Sequence, residues 1–186
     1  MGQDTLTFLN GKVITGTVTN TDSLYITYKP NSKWFKKVKT VSSESIFDIK
    51  HQDGSIDTIY YMSPELEQFL SVDEMHLYIL GEQDAAAYYQ PKLTAILGVA
   101  FGAGMGYLLR DGFYVAGVPL VYTIGAGISK IKIKNVNMRP TSVLSTIAYQ
   151  EGFIRKARAK KAFIALGSSF IGTGLGIIIG NASAPQ

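Results

Sequence analysis

The stretch GVAFGAGMG, residues 98–106, decides the fold because glycine recurs in it every four positions. Residues four apart share one face of an α-helix, so this recurrence gives a stripe almost without side chains. The stripe comprises Thr94, Gly98, Gly102 and Gly106. A second stretch, GTGLGIIIG at 172–180, repeats the pattern, and its stripe comprises Ser168, Gly172, Gly176 and Gly180. The chain therefore contains two helical faces that a neighbouring backbone can approach closely.

Both stripes point to a membrane. In water, each glycine inside a helix costs about 1 kcal/mol relative to alanine. In lipid the cost matters less, because the backbone has no water to bond to outside the helix. Faces of small residues also let helices pack closely where no hydrophobic force drives their association. We therefore predict that the two stripes are helix-packing faces of the glycine-zipper kind.

Three segments carry no charge: Leu93–Leu109, Phe113–Ile128 and Ala162–Ala182, of 17, 16 and 21 residues. Crossing a bilayer takes about 20 apolar residues. The third segment meets this length, and the first two resemble a helical hairpin around Arg110-Asp111-Gly112. Buried core helices or re-entrant segments are the alternative, but the rest of the chain is too small to bury three of them. We predict two to three Gly-rich transmembrane or membrane-embedded helices.

The first 62 residues are typical of a small β domain. Asn10-Gly11 and Asp53-Gly54 are strong hairpin signals, and β-branched and aromatic residues flank them in five or six short runs. This pattern indicates an SH3-like or Sm-like barrel, or else an open meander against the following helix. Pro64 then begins a short helical turn, and Ser71 with Glu74 forms a capping box for a helix that continues to about Tyr89.

The predicted fold class is thus an α+β membrane protein with a small β domain, a linking helix and membrane helices. The predicted domains are a β domain (1–62), linking helices (63–91), a Gly-rich helical hairpin (92–129), a basic amphipathic linker (130–161) and a membrane helix (162–182).

Charge is distributed unevenly. Residues 1–91 hold 7 Lys/Arg and 12 Asp/Glu, whereas residues 92–186 hold 11 Lys/Arg and 2 Asp/Glu. A basic half suits nucleic acid or anionic lipid, and the neighbouring apolar segments favour lipid, so a nucleic-acid partner is not expected. Under the positive-inside rule, the N-terminal domain and the basic linker would both be cytoplasmic in an inner membrane.

Within the linker, Val143–Lys161 is predicted to form an amphipathic helix that continues into the last span. Its basic residues would lie at the level of the lipid headgroups. They are Arg155, Lys156, Arg158, Lys160 and Lys161. We predict that they bind anionic headgroups. The alternative is a collar of snorkelling side chains without specific recognition.

No group of residues predicts a reaction. The chain has no Cys, and His51 and His76 have no partner at a spacing typical of catalysis or metal binding. The glycines do not form a phosphate-binding loop, since no Gly-Lys-Ser/Thr follows a strand. A basic–aromatic patch is typical of an exposed hairpin, and the alternative is that it binds nucleic acid, an anionic partner or a headgroup layer. The patch comprises Lys33, Trp34, Phe35, Lys36, Lys37 and Lys39. We expect neither an enzyme, nor a catalytic site, nor a metal, nor a cofactor.

Four stretches carry a resemblance: DTLTFLNGKVITGTVT (4–19), ESIFDIKHQDGS (44–55), LSVDEMHLYILGEQDAAAYYQ (70–90) and YQEGFIRKARAKKAFIALG (149–167). In this order, with Gly-rich apolar segments before the last, the chain resembles uncharacterised cell-envelope proteins of Bacteroidota. The resemblance implies that MGQDT is a signal-peptide cleavage region and that the N-terminal domain is periplasmic. The stripes separately resemble glycine-zipper outer-membrane proteins, although the chain lacks the lipidated Cys of the small lipoproteins among them.

The predicted function is non-enzymatic assembly or scaffolding in the cell envelope. Helix packing through glycine would build a homo-oligomer or attach the protein to a larger membrane complex. Two alternatives stay open: a subunit of a pore or channel, and an envelope sensor that uses the β domain.

Overall fold

The structure, a computed structural model, describes residues 3–31, 37–109, 112–133 and 139–183. It confirms the α+β class, with a six-stranded antiparallel sheet followed by helices. The strands are β1 (Asp4–Phe8), β2 (Val13–Thr21), β3 (Tyr25–Pro30), β4 (Lys39–Ser42), β5 (Ile46–Lys50) and β6 (Ile56–Thr58). The helices are α1 (Val72–Tyr88), α2 (Lys92–Leu108), α3 (Val118–Ile128), α4 (Thr141–Leu144) and α5 (Ile147–Ala182). Short 3-10 turns cover Ser43–Ser45, Pro64–Leu66 and Phe113–Gly117.

The strand order is β4-β3-β2-β1-β5-β6, and every neighbouring pair is antiparallel. Both predicted hairpin turns are confirmed. Gly11 and Gly54 have φ values of 73° and 90°, which other residues rarely adopt. At the first turn the Lys12 amide donates to Asn10 Oδ1 at 3.1 Å, and at the second the Ser55 amide donates to Asp53 Oδ1 at 2.9 Å.

The strands contribute side chains to two separate hydrophobic clusters. The first cluster comes entirely from strands and consists of Leu6, Phe8, Ile26, Tyr28, Ile46 and Ile49. None of these six residues comes from a helix. In a second cluster, Phe47 packs with Tyr60 and with Ile79 of α1. The small β domain is therefore confirmed. Its closure into an SH3-like or Sm-like barrel stays a prediction, because β4 and β6 are the two edges of the strand order.

The capping box at the start of α1 is confirmed. Ser71 Oγ lies 2.8 Å from Glu74 Oε2, and the Glu74 amide donates to Ser71 Oγ at 3.3 Å. The Ser71 amide also donates to Glu74 Oε2 at 2.9 Å, and these bonds hold the pKa of the Glu74 carboxyl below its ordinary value. They satisfy backbone amides that the first turn of a helix leaves without partners.

The predicted number of membrane spans is wrong. In the described part of the chain one helix, α5, is long and apolar enough to cross a membrane, instead of two or three. The 17 residues of α2 extend about 25 Å, somewhat less than the ~30 Å hydrocarbon core. The following segment is shorter still, because Pro119 lies in the first turn of α3 and the residues before it form a 3-10 turn. Regular α-helix there has only 11 residues.

The amphipathic helix predicted from Val143 begins instead at Ile147 and continues without a break into the apolar segment. The side chains of Ser145 and Thr146 both donate to the Ser142 carbonyl, which ends α4 before α5 begins. Some predictions fall outside the described residues. They are the opening Met1-Gly2, most of the basic–aromatic patch (Lys33, Trp34, Phe35, Lys36) and the charged turn Arg110-Asp111.

The chain forms two compact units. The first contains the sheet, α1 as far as Gln83, and Arg139–Phe153. The second, called the helical unit below, begins at Asp84, contains α2 and α3, and resumes with α5 from Ile154.

In the first unit, His51 joins three strands through two carboxylates. Its Nε2 lies 2.8 Å from Asp57 Oδ2 of β6, and its Nδ1 lies 3.7 Å from Asp4 Oδ1 of β1. Asp4 is buried, and its other oxygen accepts the Val18 amide at 2.8 Å. The hydrogen bond with Asp57 and the nearby acidic charges raise the pKa of His51 above its ordinary value of 6.5.

This arrangement predicts that the stability of the edge strand β6 depends on pH. A raised pKa means that protonated His51 stabilises the folded state, fully below pH 6.5, and that this contribution is lost as the pH rises through the folded-state pKa. Hydrogen-exchange protection of the β5–β6 amides, corrected for the intrinsic pH dependence of exchange, should fall across that interval. Asp57→Asn should remove most of the fall, whereas Asp22→Asn, a carboxylate outside this hairpin, should leave it unchanged. Equal pH dependence in the wild type and Asp57→Asn would contradict the assignment.

Candidate functional site: a helical unit packed through glycine

The two predicted stripes face each other within the helical unit, where α2 packs against α5. Gly98, Gly102 and Gly106 are buried on α2. A Cβ on Gly102 would overlap the Ser169 carbonyl oxygen and stand 2.8 Å from the Thr173 nitrogen. A Cβ on Gly106 would overlap the Thr173 carbonyl oxygen. Glycine is therefore required at these points by contact with a backbone that cannot move aside.

The contact is reciprocal. A Cβ on Gly172 would stand 2.8 Å from Val99 Cα, and a Cβ on Gly176 would stand 2.7 Å from the Tyr107 nitrogen. Ser168, also buried, lies over Gly98, and Gly180 is buried near the end of α5. All seven predicted packing residues are thus buried in this unit, and six of them line the close contact between the two helices. We call this contact the glycine seam.

Helix α3 joins the seam through Tyr122. Its ring lies close to Gly98, where a Cβ would stand 2.9 Å from Tyr122 Cε1. The Tyr122 hydroxyl donates to the Thr94 carbonyl oxygen at 2.7 Å, and the ring stacks on Phe101 with 5.5 Å between centroids. Gly98 therefore makes room for two neighbours, Ser168 of α5 and Tyr122 of α3.

The helical unit has a reversed distribution of polarity. Its buried positions include small and hydroxyl-bearing residues, with Ser169 at 0% and Thr173 at 7% exposure. Its exposed positions include large apolar side chains, such as Leu108 at 72%, Ile124 at 67% and Phe163 at 81%. A protein that folds in water usually buries such side chains. This reversal is what helices in lipid show, because the tails solvate large apolar groups while small residues allow close packing.

Two residues of the predicted headgroup cluster contact the ends of neighbouring helices instead of pointing only outward. Lys161 is 6% exposed, and its Nζ donates to the Ser129 carbonyl at 3.3 Å and to the Ser129 hydroxyl. Ser129 follows the last residue of α3. Lys160 Nζ donates at 2.8 Å to the Ala86 carbonyl, in the last turn of α1. Neither α1 nor α3 has a basic residue of its own in its last turn, so these lysines supply the cation that a helix C-terminus favours.

The other three cations suit a headgroup contact better. Arg155 and Arg158 are exposed and Lys156 is half-buried. No hydrogen bond or ion pair joins Lys156 or Arg158 to another residue of the described part of the chain. The cluster therefore divides into two lysines that cap helices and cations that are accessible to an anionic surface.

Two glycines of the first unit also make close contacts, and the sequence pattern did not predict them. A Cβ on Gly81 of α1 would stand 2.8 Å from the Phe153 nitrogen, and one on Gly152 of α5 would stand 2.8 Å from the Tyr78 carbonyl carbon. These glycines pack two helical backbones together, with Tyr149 and Phe153 fully buried beside them. Each is a single glycine within a helical pattern, and such isolation is the only sequence signal for it.

The two histidines make contacts of a structural kind. His51 lies between Asp4 and Asp57, and His76 stacks on Phe47 with 5.9 Å between ring centroids. The first unit has a cavity of about 130 Å³ lined by Ser23, Ser43 and Gln68 among others. Small-molecule sites typically enclose about 300–1,000 Å³, so this cavity is small for a ligand.

No protein-family model matches the chain, and no curated protein and no solved structure matches it either. The resemblance to cell-envelope proteins of Bacteroidota stays a prediction, and a functional assignment depends on the residues of this chain.

The glycine seam predicts opposite effects for neighbouring glycines. Gly102→Ala should lower the free energy of unfolding by about 1–3 kcal/mol, since its Cβ would overlap backbone atoms of α5. Gly104→Ala, whose Cβ would meet nothing within 4 Å, should be neutral or slightly stabilising. Gly176→Ala and Gly174→Ala form the same pair on α5. Thermal unfolding of the full chain in detergent, followed by circular dichroism, measures both pairs. Equal effects within a pair would refute the seam.

The division of the basic cluster gives a second prediction. Lys161→Met removes a buried charged donor from the end of α3 and should lower stability by about 1.5–3 kcal/mol. It should leave unchanged the rise in melting temperature that phosphatidylglycerol produces in mixed micelles. Changing Lys156 and Arg158 together to Gln should reduce that rise while leaving the melting temperature without lipid near the wild-type value. The reverse pattern would assign the roles the other way round.

Proposed function

We propose that this protein is a non-enzymatic, membrane-embedded scaffold of the cell envelope. The observation that carries the proposal is the reversed polarity of the helical unit, in which glycine and hydroxyl groups are buried and large apolar side chains are exposed. In water, so many exposed apolar side chains would form patches that soluble monomers rarely expose. In a bilayer the same surface is solvated by lipid tails. One helix, α5, is long and apolar enough to cross the membrane.

The seam supports a specific form of assembly. Because both glycine stripes are occupied within one chain, further copies or partner subunits would have to contact the outer, apolar faces of α2, α3 and α5. The protein would therefore act either as a homo-oligomer or as an accessory subunit of a larger membrane complex. The β domain is the part available to bind a partner outside the bilayer.

The accessible cations support attachment to anionic lipid. Arg155, Lys156 and Arg158 lie within the seven residues before the apolar segment that begins at Ala162, at the depth where headgroups would lie. Lys160 and Lys161 would hold the helix ends that reach the same region.

Two arguments bear on which side of the membrane the N-terminal domain lies, and they give different answers. The resemblance to envelope proteins favours a periplasmic N-terminal domain, whereas the positive-inside rule would make it cytoplasmic in an inner membrane. In either case a crossing by α5 would place the β domain and the residues after α5 on opposite sides of the membrane. The hypotheses of a pore subunit and of an envelope sensor stay predictions, with no observed feature in their favour.

A single crossing makes a direct topological prediction. The chain has no Cys, so single cysteines report accessibility without background. Gln52→Cys, in an exposed turn of the β domain, and Ser183→Cys, just after α5, should react with an impermeant maleimide from opposite sides of sealed membranes. The side on which Gln52→Cys reacts decides between the two placements. Labelling of both cysteines from one side would refute the single crossing, and loss of the protein from carbonate-washed membranes would refute membrane embedding.

A further inference from the structure

The helical unit contains an open groove between α2 and α3 of about 510 Å³, within the usual range for ligand sites. Its walls are apolar and come from Leu93, Leu97 and Phe101 of α2 and from Val121, Gly125 and Ala126 of α3. Leu93 and Phe101 are eight residues apart, so the groove extends along the helix for about 12 Å.

The groove is apolar because its polar groups satisfy each other. The Tyr122 hydroxyl donates to the Thr94 carbonyl oxygen at 2.7 Å, and both residues line the groove. Gly125 leaves the groove open, since a Cβ there would meet nothing within 4 Å. Apolar cavities hold water poorly and accept apolar ligands. The groove is elongated along α2, which suits an extended chain.

One end of the groove is cationic. Ser129 lines the groove at this end and accepts hydrogen bonds from the Lys161 ammonium group. Lys92 precedes Leu93 and Lys130 follows Ser129, and both are exposed. The same end holds the N-terminus of α2, where the helix dipole is positive and no side chain caps the first turn. Between Lys92 and Gln150 the sequence has one carboxylate, Asp111, which comes after the opposite end of α2.

We propose that this groove binds one acyl chain of an anionic phospholipid, with the phosphate at Lys92 and Lys130. The apolar walls match the chain, and the cationic end matches the headgroup. The proposal rests on the proposed function, because the bilayer supplies the lipid. It goes further by specifying one bound lipid between two helices, in addition to general attraction at the basic cluster of α5.

The test uses the full chain, purified in detergent and stripped of lipid, with native mass spectrometry of one-to-one complexes. The added lipids are dioleoyl-phosphatidylglycerol, dioleoyl-phosphatidylcholine and free oleate. Gly125→Leu adds a side chain at a position that lines the groove and where a Cβ would meet nothing within 4 Å. Gly127→Leu is the matched control, because its Cβ also meets nothing within 4 Å and it does not line the groove. Lys92→Gln combined with Lys130→Gln removes the charge.

The wild type and Gly127→Leu should retain one phosphatidylglycerol, and Gly125→Leu should bind it about tenfold more weakly, since its side chain replaces part of the acyl chain. The double lysine variant should lose the preference for phosphatidylglycerol over phosphatidylcholine. Equal retention of phosphatidylglycerol by Gly125→Leu and Gly127→Leu would overturn the groove as the binding site. Equal wild-type binding of the two phospholipids, or tighter binding of oleate, would overturn the anionic phospholipid as occupant.

Failure of this proposal is separable from failure of the proposed function. Both leucine variants should remain in carbonate-washed membranes, so altered lipid retention with unchanged membrane association concerns the groove alone. Release of the wild type from washed membranes would instead contradict the proposed function.

Discussion

The backbones of α2 and α5 touch, and this contact is possible only because glycine stands on both sides of it. A single added Cβ at Gly102 or Gly172 would overlap a carbonyl oxygen of the facing helix. Backbone groups already bonded within a helix cannot shift without breaking those bonds, so the restriction is strict. The attachment of α3 depends on the same contact, because Tyr122 occupies the space that Gly98 leaves. The apolar outer surface and the groove between α2 and α3 both follow from this packing.

The charged residues of the helical unit complement the seam. Two adjacent lysines of α5 bond the carbonyls at the ends of two other helices, Lys160 at Ala86 and Lys161 at Ser129. A carbonyl at a helix end has no partner within its own helix. Cations within reach of these ends therefore contribute both hydrogen bonds and a favourable interaction with the helix dipole. The same segment of α5 carries Arg158, whose side chain faces outward.

The features predicted correctly from the sequence are those that residues close together in the chain determine. The two hairpin turns and the capping box at Ser71 are each specified by neighbouring residues, and each is present. The number of spans was wrong because a count of uncharged residues does not register the 3-10 turn before Pro119. The lysine caps were missed because Lys160 and Ala86 are 74 positions apart. Gly81 and Gly152 were missed because a single glycine has no period, so nothing in the sequence marks its partner.

The glycine seam can form only after both of its helices have been synthesised. Gly102 and Ser169 meet in it, and they are 67 positions apart (169 − 102). When α2 has been made, the backbone of α5 that covers its glycines does not yet exist. During this interval the stripe on α2 lacks its partner helix. The arrival of α5 therefore completes the unit, and a chain that ends before residue 169 lacks the surface on which its earlier helices pack.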